Sequence, residues 1–201
     1  MKRFCFILPL LLLSYLFYLS LKVNVQKRYR LKYAVVTGAT GGIASKLIET
    51  LQKDTQVIAV ARNPGELQKI AAKHPQRIIP FVFDFSSDLD QFATKFDSFL
   101  VEKQIKREEI GLVFSNAGYG DYQKFEDSDY CYKEKFLRVN VDSHVMIADY
   151  FIKLFLKRKE RSGLVLTASM ASYLPMKGMG MYHTAKATLS ALGNALYAEY
   201  R

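Results

Sequence analysis

The sequence predicts an α/β fold: a doubly wound parallel sheet carried behind an N-terminal transmembrane helix. Three observations predict it. From Tyr33 onward, short apolar, β-branched runs alternate with segments of helical periodicity. The first run ends directly in a glycine-rich turn that opens into a helical pattern. Ahead of both, residues 4–21 form a stretch of 18 residues without a charge.

As a helix, that stretch rises about 27 Å at roughly 1.5 Å per residue, close to the hydrocarbon thickness of a bilayer. A cleaved signal peptide is the alternative, but its apolar region usually runs about 7–15 residues and ends in small side chains. Here Tyr15, Phe17, Tyr18 and Leu21 crowd the place where cleavage would fall, so a retained anchor fits better. Lys2 and Arg3 precede the stretch, while Lys22, Lys27, Arg28, Arg30 and Lys32 follow it. The positive-inside bias then places the body of the protein on the cytosolic side, with the basic flank available to anionic headgroups. The absence of any N-x-S/T sequon agrees with that orientation.

The same flank explains the charge. Of 29 basic residues against 19 acidic, seven basic and no acidic residues fall in 1–32, leaving 22 against 19 beyond it. The excess is local, which removes most of the case for nucleic acid that a net charge of +10 invites. Half the residues are apolar, excluding disorder, and two cysteines exclude a disulfide scaffold.

Within the body, strands are expected at 33–38 (YAVVTG), 56–61 (QVIAVA), 77–83 (RIIPFVF), 110–115 (IGLVFS) and 163–169 (GLVLTAS). Each is short and mostly apolar, as parallel strands covered on both faces must be. Helices are expected near 42–53, 64–74, 88–104, 128–159 and 180–200. The fourth carries Phe136, Val139, Val145, Ile147, Phe151, Leu154 and Phe155 at helical spacing, but its interior Asn140 is a poor helix former that calls for a reason. Strand–helix alternation implies right-handed crossovers. The fifth strand is followed by one helix and then the last residue, so the sheet is expected to be incomplete at its C-terminal side, with an unpaired edge.

The turn after the first strand reads Thr37-Gly38-Ala39-Thr40-Gly41-Gly42-Ile43-Ala44. Glycines there allow positive φ and a close backbone approach to a pyrophosphate, and the following helix offers free N–H groups. Its place after the first strand and before a helix favours a Rossmann-type nucleotide site; the alternative is a glycine-rich turn with no ligand. The second strand ends Val60-Ala61-Arg62-Asn63, without the carboxylate that an NAD ribose usually meets. Arg62 could instead pair with a 2′-phosphate, which favours NADP(H); the alternative is a solvated loop arginine.

Tyr182 and Lys186 stand four residues apart on one helix face. Two other Tyr-x-x-x-Lys matches exist, Tyr18/Lys22 and Tyr173/Lys177, but only Tyr182 has a serine 13 residues upstream at a strand end, Ser169. Together with Asn116-Ala117-Gly118 and with Asn140 in RVNV, this order and spacing resembles the short-chain dehydrogenase/reductase family from about Tyr33 to Arg201. One glycine of the family's turn is replaced by Ala44. The resemblance implies an NADP(H) site built from Gly38, Thr40, Gly42, Ile43, Arg62, Asp84 (at the adenine), Asn116, Ala117 and Gly118, with Tyr182 and Lys186 reaching the nicotinamide end. It further implies that Tyr182 is the general acid/base, that Lys186 lowers its pKa, that Ser169 holds the carbonyl oxygen and that Asn140 anchors a proton-relaying water. A tyrosine needs such a cation, since its free pKa of about 10 suits proton transfer at neutral pH poorly.

Other residues carry less. His74, His144 and His183 are too scattered for a metal site, and no metal is expected. Met170, Met176, Met179 and Met181 read as packing, with a soft lining for a lipid substrate as the other reading. The run from Lys157 to Arg161 reads as a helix C-terminus.

The family's substrate-covering segment follows its catalytic helix, so the chain is expected to be a fragment, a truncated gene model or a degenerate copy. An anchor with a cytosolic NADP domain looks like the endoplasmic-reticulum members that reduce lipid ketones: 3-ketoacyl-CoA reductases, 17-beta-hydroxysteroid dehydrogenases and 3-ketosphinganine reductases. The expected function is an NADPH-dependent ketone reductase for a lipophilic small molecule, with a homodimer possible through 128–159 and 180–201. The alternative is a non-catalytic, membrane-tethered nucleotide-binding remnant or interaction module.

Overall fold

Tyr33–Thr37 forms the first strand, β1, and all five of its residues are buried. Continuous burial of a YAVVT run needs cover on both faces, which a central parallel strand receives. The computed structural model describes residues 25–51 and 53–200. The expected transmembrane stretch 4–21 lies outside them; among the described residues no helix is long and apolar enough to cross a membrane.

Strands and helices alternate, with two helices in succession before the last strand. After α1 (Val25–Tyr29) and β1 come α2 (Gly42–Thr50), β2 (Gln56–Ala61), α3 (Pro64–Lys73), β3 (Ile78–Val82), α4 (Phe92–Glu102) and β4 (Ile110–Ser115). Then come α5 (Tyr130–Leu137), α6 (Ser143–Phe155), β5 (Gly163–Leu166) and α7 (Gly180–Tyr200). Local signals set several starts: the Asn63 side chain accepts the Glu66 N–H at 3.1 Å and Pro64 opens α3, both preorganised for a helix N-terminus.

All strands are parallel, in the order β3-β2-β1-β4-β5. The chain builds outward from β1 to β3, then crosses back to lay β4 on the other side of β1. That reversal puts a crevice at the C-terminal ends of β1 and β4, the place where doubly wound sheets bind ligands. β5 ends at Leu166, earlier than the expected 169. Thr167 N–H makes one further bond to Ser115 O at 3.0 Å, and the chain then turns out of the sheet. Among the described residues β5 is an edge strand.

Alternation along the strands divides the core into two layers. Ala34, Val36, Val57 and Ala59 pack with Ala44, Ile48 and Leu67 from α2 and α3. Val35, Ile58 and Val60 face the other way, onto Phe92, Phe96 and Phe99 of α4 and Ile147 and Phe151 of α6. This second layer is aromatic: Phe96 stacks on Phe92 at 5.2 Å between centroids and meets Phe81 edge-on at 5.3 Å. Truncating one such buried ring to alanine costs about 3–5 kcal/mol.

The single helix expected over 128–159 is in fact two. α5 and α6 are joined by a π-helical turn, Arg138–Asp142, with Asn140 buried inside it. The reason is local competition: the Asn140 Nδ2 donates to Phe136 O at 3.0 Å, taking the carbonyl a regular helix would give to a backbone N–H. Such widened turns are often found at functional sites.

Arg158 fastens α1 to the far end of the sheet. Its guanidinium donates to Tyr29 O at 2.9 Å, Arg30 O at 3.3 Å and Glu108 O at 2.8 Å. Tyr29 lies against Gly163 at the start of β5, and Leu31 joins the core. The polypeptide therefore enters the fold at the edge opposite the crevice.

Candidate active site

A cavity of about 470 Å³ opens at the C-terminal ends of β1 and β4. Gly38 sits at its floor with φ +64°, and a Cβ there would lie 2.8 Å from Ala117 Cα. Only glycine meets both demands, the left-handed backbone and the close approach of two loops. Gly41 then caps α2 in extended conformation, its N–H bonded to Gly38 O at 3.0 Å. The first N–H groups of α2 thus face the cavity without intrahelical partners, alongside Thr40, Gly42 and the exposed Ile43. Ala44, standing for the family's glycine, is fully buried in the layer beneath.

The wall is stitched from strand to strand. The Thr37 hydroxyl accepts the backbone N–H groups of Asn116 and Ala117, each at 2.9 Å, and Asn116 Nδ2 donates to Thr37 O at 3.3 Å. Asn116 therefore braces β1 against β4, with Ala117 and Gly118 completing that side of the cavity. At the opposite lip stand the exposed Arg62 and the half-buried Asp84. One Asp84 oxygen accepts Ser86 N–H at 2.8 Å, holding the turn after β3. The β2 terminus presents no carboxylate: Arg62 and Asn63 follow it, and Asn63 caps α3.

Ser169, Tyr182 and Lys186 line the same cavity. Ser169 caps a short 3-10 turn, its hydroxyl accepting Ala171 N–H at 3.1 Å. The Ser172 hydroxyl donates to Lys186 O at 2.8 Å, and the His183 ring donates through Nδ1 to Ala171 O; both tie that turn to α7. Lys186 is 4% exposed. Its ammonium donates to Thr167 O at 2.8 Å and lies 5.7 Å from the centre of the Tyr182 ring. Burial pushes the Lys186 pKa below its ordinary value.

Asn140 is placed differently from the rest. It is fully buried behind Gly118 rather than on the cavity wall, its Oδ1 accepting Tyr119 N–H at 3.1 Å. A Cβ on Gly118 would lie 2.7 Å from that Oδ1 and 3.8 Å from Lys186 Nζ, so Asn140, Gly118 and Lys186 close on one point. Each end of the Asn140 carboxamide bonds backbone, Tyr119 N–H on one side and Phe136 O on the other.

Sequence reasoning missed Thr37 and His144. His144 is wholly buried, its Nδ1 2.7 Å from Ser115 Oγ and its Nε2 2.8 Å from Ala117 O. The carbonyl can only accept, so Nε2 carries the proton and Nδ1 accepts from Ser115. Burial, with the Lys186 charge nearby, pushes the imidazole down to about 4. Its spacing of four from Asn140, one helical turn on, was the available signal. The methionine reading is also corrected: Met181 is packed, but Met170 is 76% and Met176 50% exposed, because their loop projects beyond the core. Tyr173, of the rival Tyr/Lys pair, is exposed and hydrogen-bonded to Ser190.

Residues 32–201 match the family model for short chain dehydrogenases. The chain is 27% identical over 189 residues to hydroxysteroid dehydrogenase-like protein 1 of Gallus gallus, covering 89% of this chain and 54% of that one. It is 26% identical over 173 residues to 3-ketodihydrosphingosine reductase of Bos taurus, covering 84% and 52%. It is also 26% identical over 208 residues to a Homo sapiens protein named inactive hydroxysteroid dehydrogenase-like protein 1, covering 98% and 59%. The chain thus spans about half the length of the curated relatives it matches first. Among solved structures, a short chain dehydrogenase/reductase from Burkholderia phymatum superposes with a TM-score of 0.76 at 24% identity, covering 87% of this chain and 62% of that one; this likeness is one of fold. On the family match over most of its length, the chain belongs to the short chain dehydrogenase family.

Proposed function

We propose that the protein is an NADPH-dependent oxidoreductase that reduces a ketone, or oxidises the alcohol, on a lipid-type substrate. The observation that carries this reading is the buried Lys186 ammonium set beside Tyr182 in one cavity with Ser169. The residues present fit a dinucleotide: a Gly38 floor that any Cβ would fill, the open N-terminus of α2, and Arg62 where an NAD site would carry an acid. Gly38, Thr40, Gly42 and Ile43 would hold its pyrophosphate, Arg62 its 2′-phosphate, Asp84 its adenine, and Asn116 to Gly118 its ribose side.

When bound, the cofactor supplies the hydride to the carbonyl carbon. Tyr182 gives its phenolic proton to the oxygen that becomes the alcohol. Lys186 stabilises the phenolate so formed, and the Thr167 carbonyl keeps that ammonium in place. Ser169, whose oxygen already accepts the Ala171 N–H, keeps its own proton to donate to the substrate oxygen. Asn140 holds the Gly118–Tyr119 backbone beside Lys186.

A lipid substrate is supported by the exposed Met170, Leu174 and Met176 on the loop between Ser169 and Tyr182, and by a relative named a 3-ketodihydrosphingosine reductase. The uncharged stretch 4–21 and its basic flank support an endoplasmic-reticulum membrane location with the body in the cytosol. The test is direct. The full chain in detergent is given NADPH with a 3-ketoacyl-CoA, a 3-ketosteroid or 3-ketosphinganine, and NADPH loss and alcohol product are measured. Turnover of one of these supports the reading. A second reading, a nucleotide-binding protein without catalysis, is favoured by the human relative named inactive; tight NADPH binding with no turnover of any ketone would establish it.

A further inference from the structure

His144 is a buried titratable group with no part in the chemistry above. We propose that it is a positioning residue, which through its bond to the Ala117 carbonyl holds the Ala117–Gly118 backbone against Lys186 and Asn140; this rests on the reductase reading. The geometry is a clamp. The Ala117 N–H is gripped from β1 by the Thr37 hydroxyl at 2.9 Å, and the Ala117 C=O from α6 by His144 Nε2 at 2.8 Å. One grip lies within the sheet, from the end of β1, and the other comes from α6 packed on one face of it, so Ala117 cannot shift without breaking one of them. What it positions is close at hand. Ala117 Cα faces Gly38, while Gly118 packs against the Asn140 carboxamide and the Lys186 ammonium.

Packing alone does not account for an imidazole here. His144 is 0% exposed, where a leucine would fill the space without the cost of burying two polar nitrogens. Both nitrogens are instead satisfied, with Ser115 at 2.7 Å fixing the tautomer that donates to Ala117. Held neutral by burial, the ring adds no second charge beside Lys186.

The side chains that could replace it separate the two grips. Glutamine can place an amide N–H where Nε2–H stood, asparagine reaches only as far as Ser115, and leucine offers neither bond. Full-length wild type, His144→Gln, His144→Asn and His144→Leu are compared for kcat and KM on a ketone that the wild type reduces, and for NADPH affinity by fluorescence. The proposal expects kcat to fall about tenfold or more in the Asn and Leu variants at nearly unchanged KM, the effect of losing one aligned hydrogen bond, and to recover to within about threefold in Gln. Wild-type kcat in the Asn and Leu variants, or a Gln variant as slow as Leu, would overturn it, whatever the melting temperatures. If Leu fails to fold, the Asn and Gln variants decide the matter. Wild-type turnover tests the reductase reading by itself. Should the wild type reduce nothing, the same ranking is read in NADPH affinity, where an order of Gln above Asn and Leu sustains the proposal and equal affinities refute it.

Discussion

Lys186 and Tyr182 stand one helical turn apart, with the ammonium 5.7 Å from the centre of the phenol ring and anchored at 2.8 Å to the Thr167 carbonyl. The anchor matters, because a free lysine would swing toward solvent, away from the phenol. Removing only the phenolic hydroxyl should therefore stop the chemistry and spare the site. Tyr182→Phe is expected to lower kcat for ketone reduction by about 10²–10⁴-fold, with NADPH affinity within about threefold of wild type. Steady-state rates beside a fluorescence titration check both halves.

On the proposed reading, Arg62 would make the choice between nucleotides. It is an exposed side chain on the cavity lip and stands where an NAD site would place a carboxylate. A charge-assisted bond to a 2′-phosphate contributes about 1.5–3 kcal/mol, or about 10- to 100-fold in affinity. Arg62→Asp should lose at least that factor for NADPH while NADH is spared or improved. Equal losses for the two nucleotides, measured by titration, would remove Arg62 from the cofactor site.

Gly38 joins the turn to the opposite loop. At φ +64° and with a Cβ destined for 2.8 Å from Ala117 Cα, alanine is strained in backbone and blocked in space. Gly38→Ala should destabilise the fold by about 1–3 kcal/mol and weaken dinucleotide binding. Gly42, whose Cβ would meet nothing within 4 Å, is the control: Gly42→Ala should leave the melting temperature nearly unchanged.

These residues also mark how far the sequence could be read. Strand–helix alternation placed five strands within a few residues, because β-branched apolar runs such as Val57–Val60 have no other place to be buried. The cavity residues were legible because Gly38, Asn116, Ser169 and Tyr182 carry chemistry at fixed spacing. The break at Arg138–Asp142 was not legible: periodicity runs through it, and one bond from Asn140 Nδ2 to the Phe136 carbonyl decides it. His144 stayed hidden for a related reason. Its partners, Ser115 and the Ala117 carbonyl, lie more than 25 residues away and one is backbone, which no side-chain motif records.

His144 also gives the fold an acid-sensitive point, and the direction can be worked out. Its pKa is near 4 when folded and 6.5 when unfolded. Well above pH 6.5 both states are neutral and the residue has no effect on the pH dependence. Between those values the unfolded chain binds the extra proton, so stability falls as pH falls through this window. The full loss is about 3 kcal/mol, on the basis of about 1.4 kcal/mol per pKa unit. Carboxylates titrate over the lower part of the same range, so the residue's share must be read as a difference. Chemical denaturation at several pH values between 4 and 7 should show wild type losing stability more steeply than His144→Gln, with the two slopes converging above pH 7. Parallel slopes across the range would mean that the imidazole takes up its proton without leaving the core.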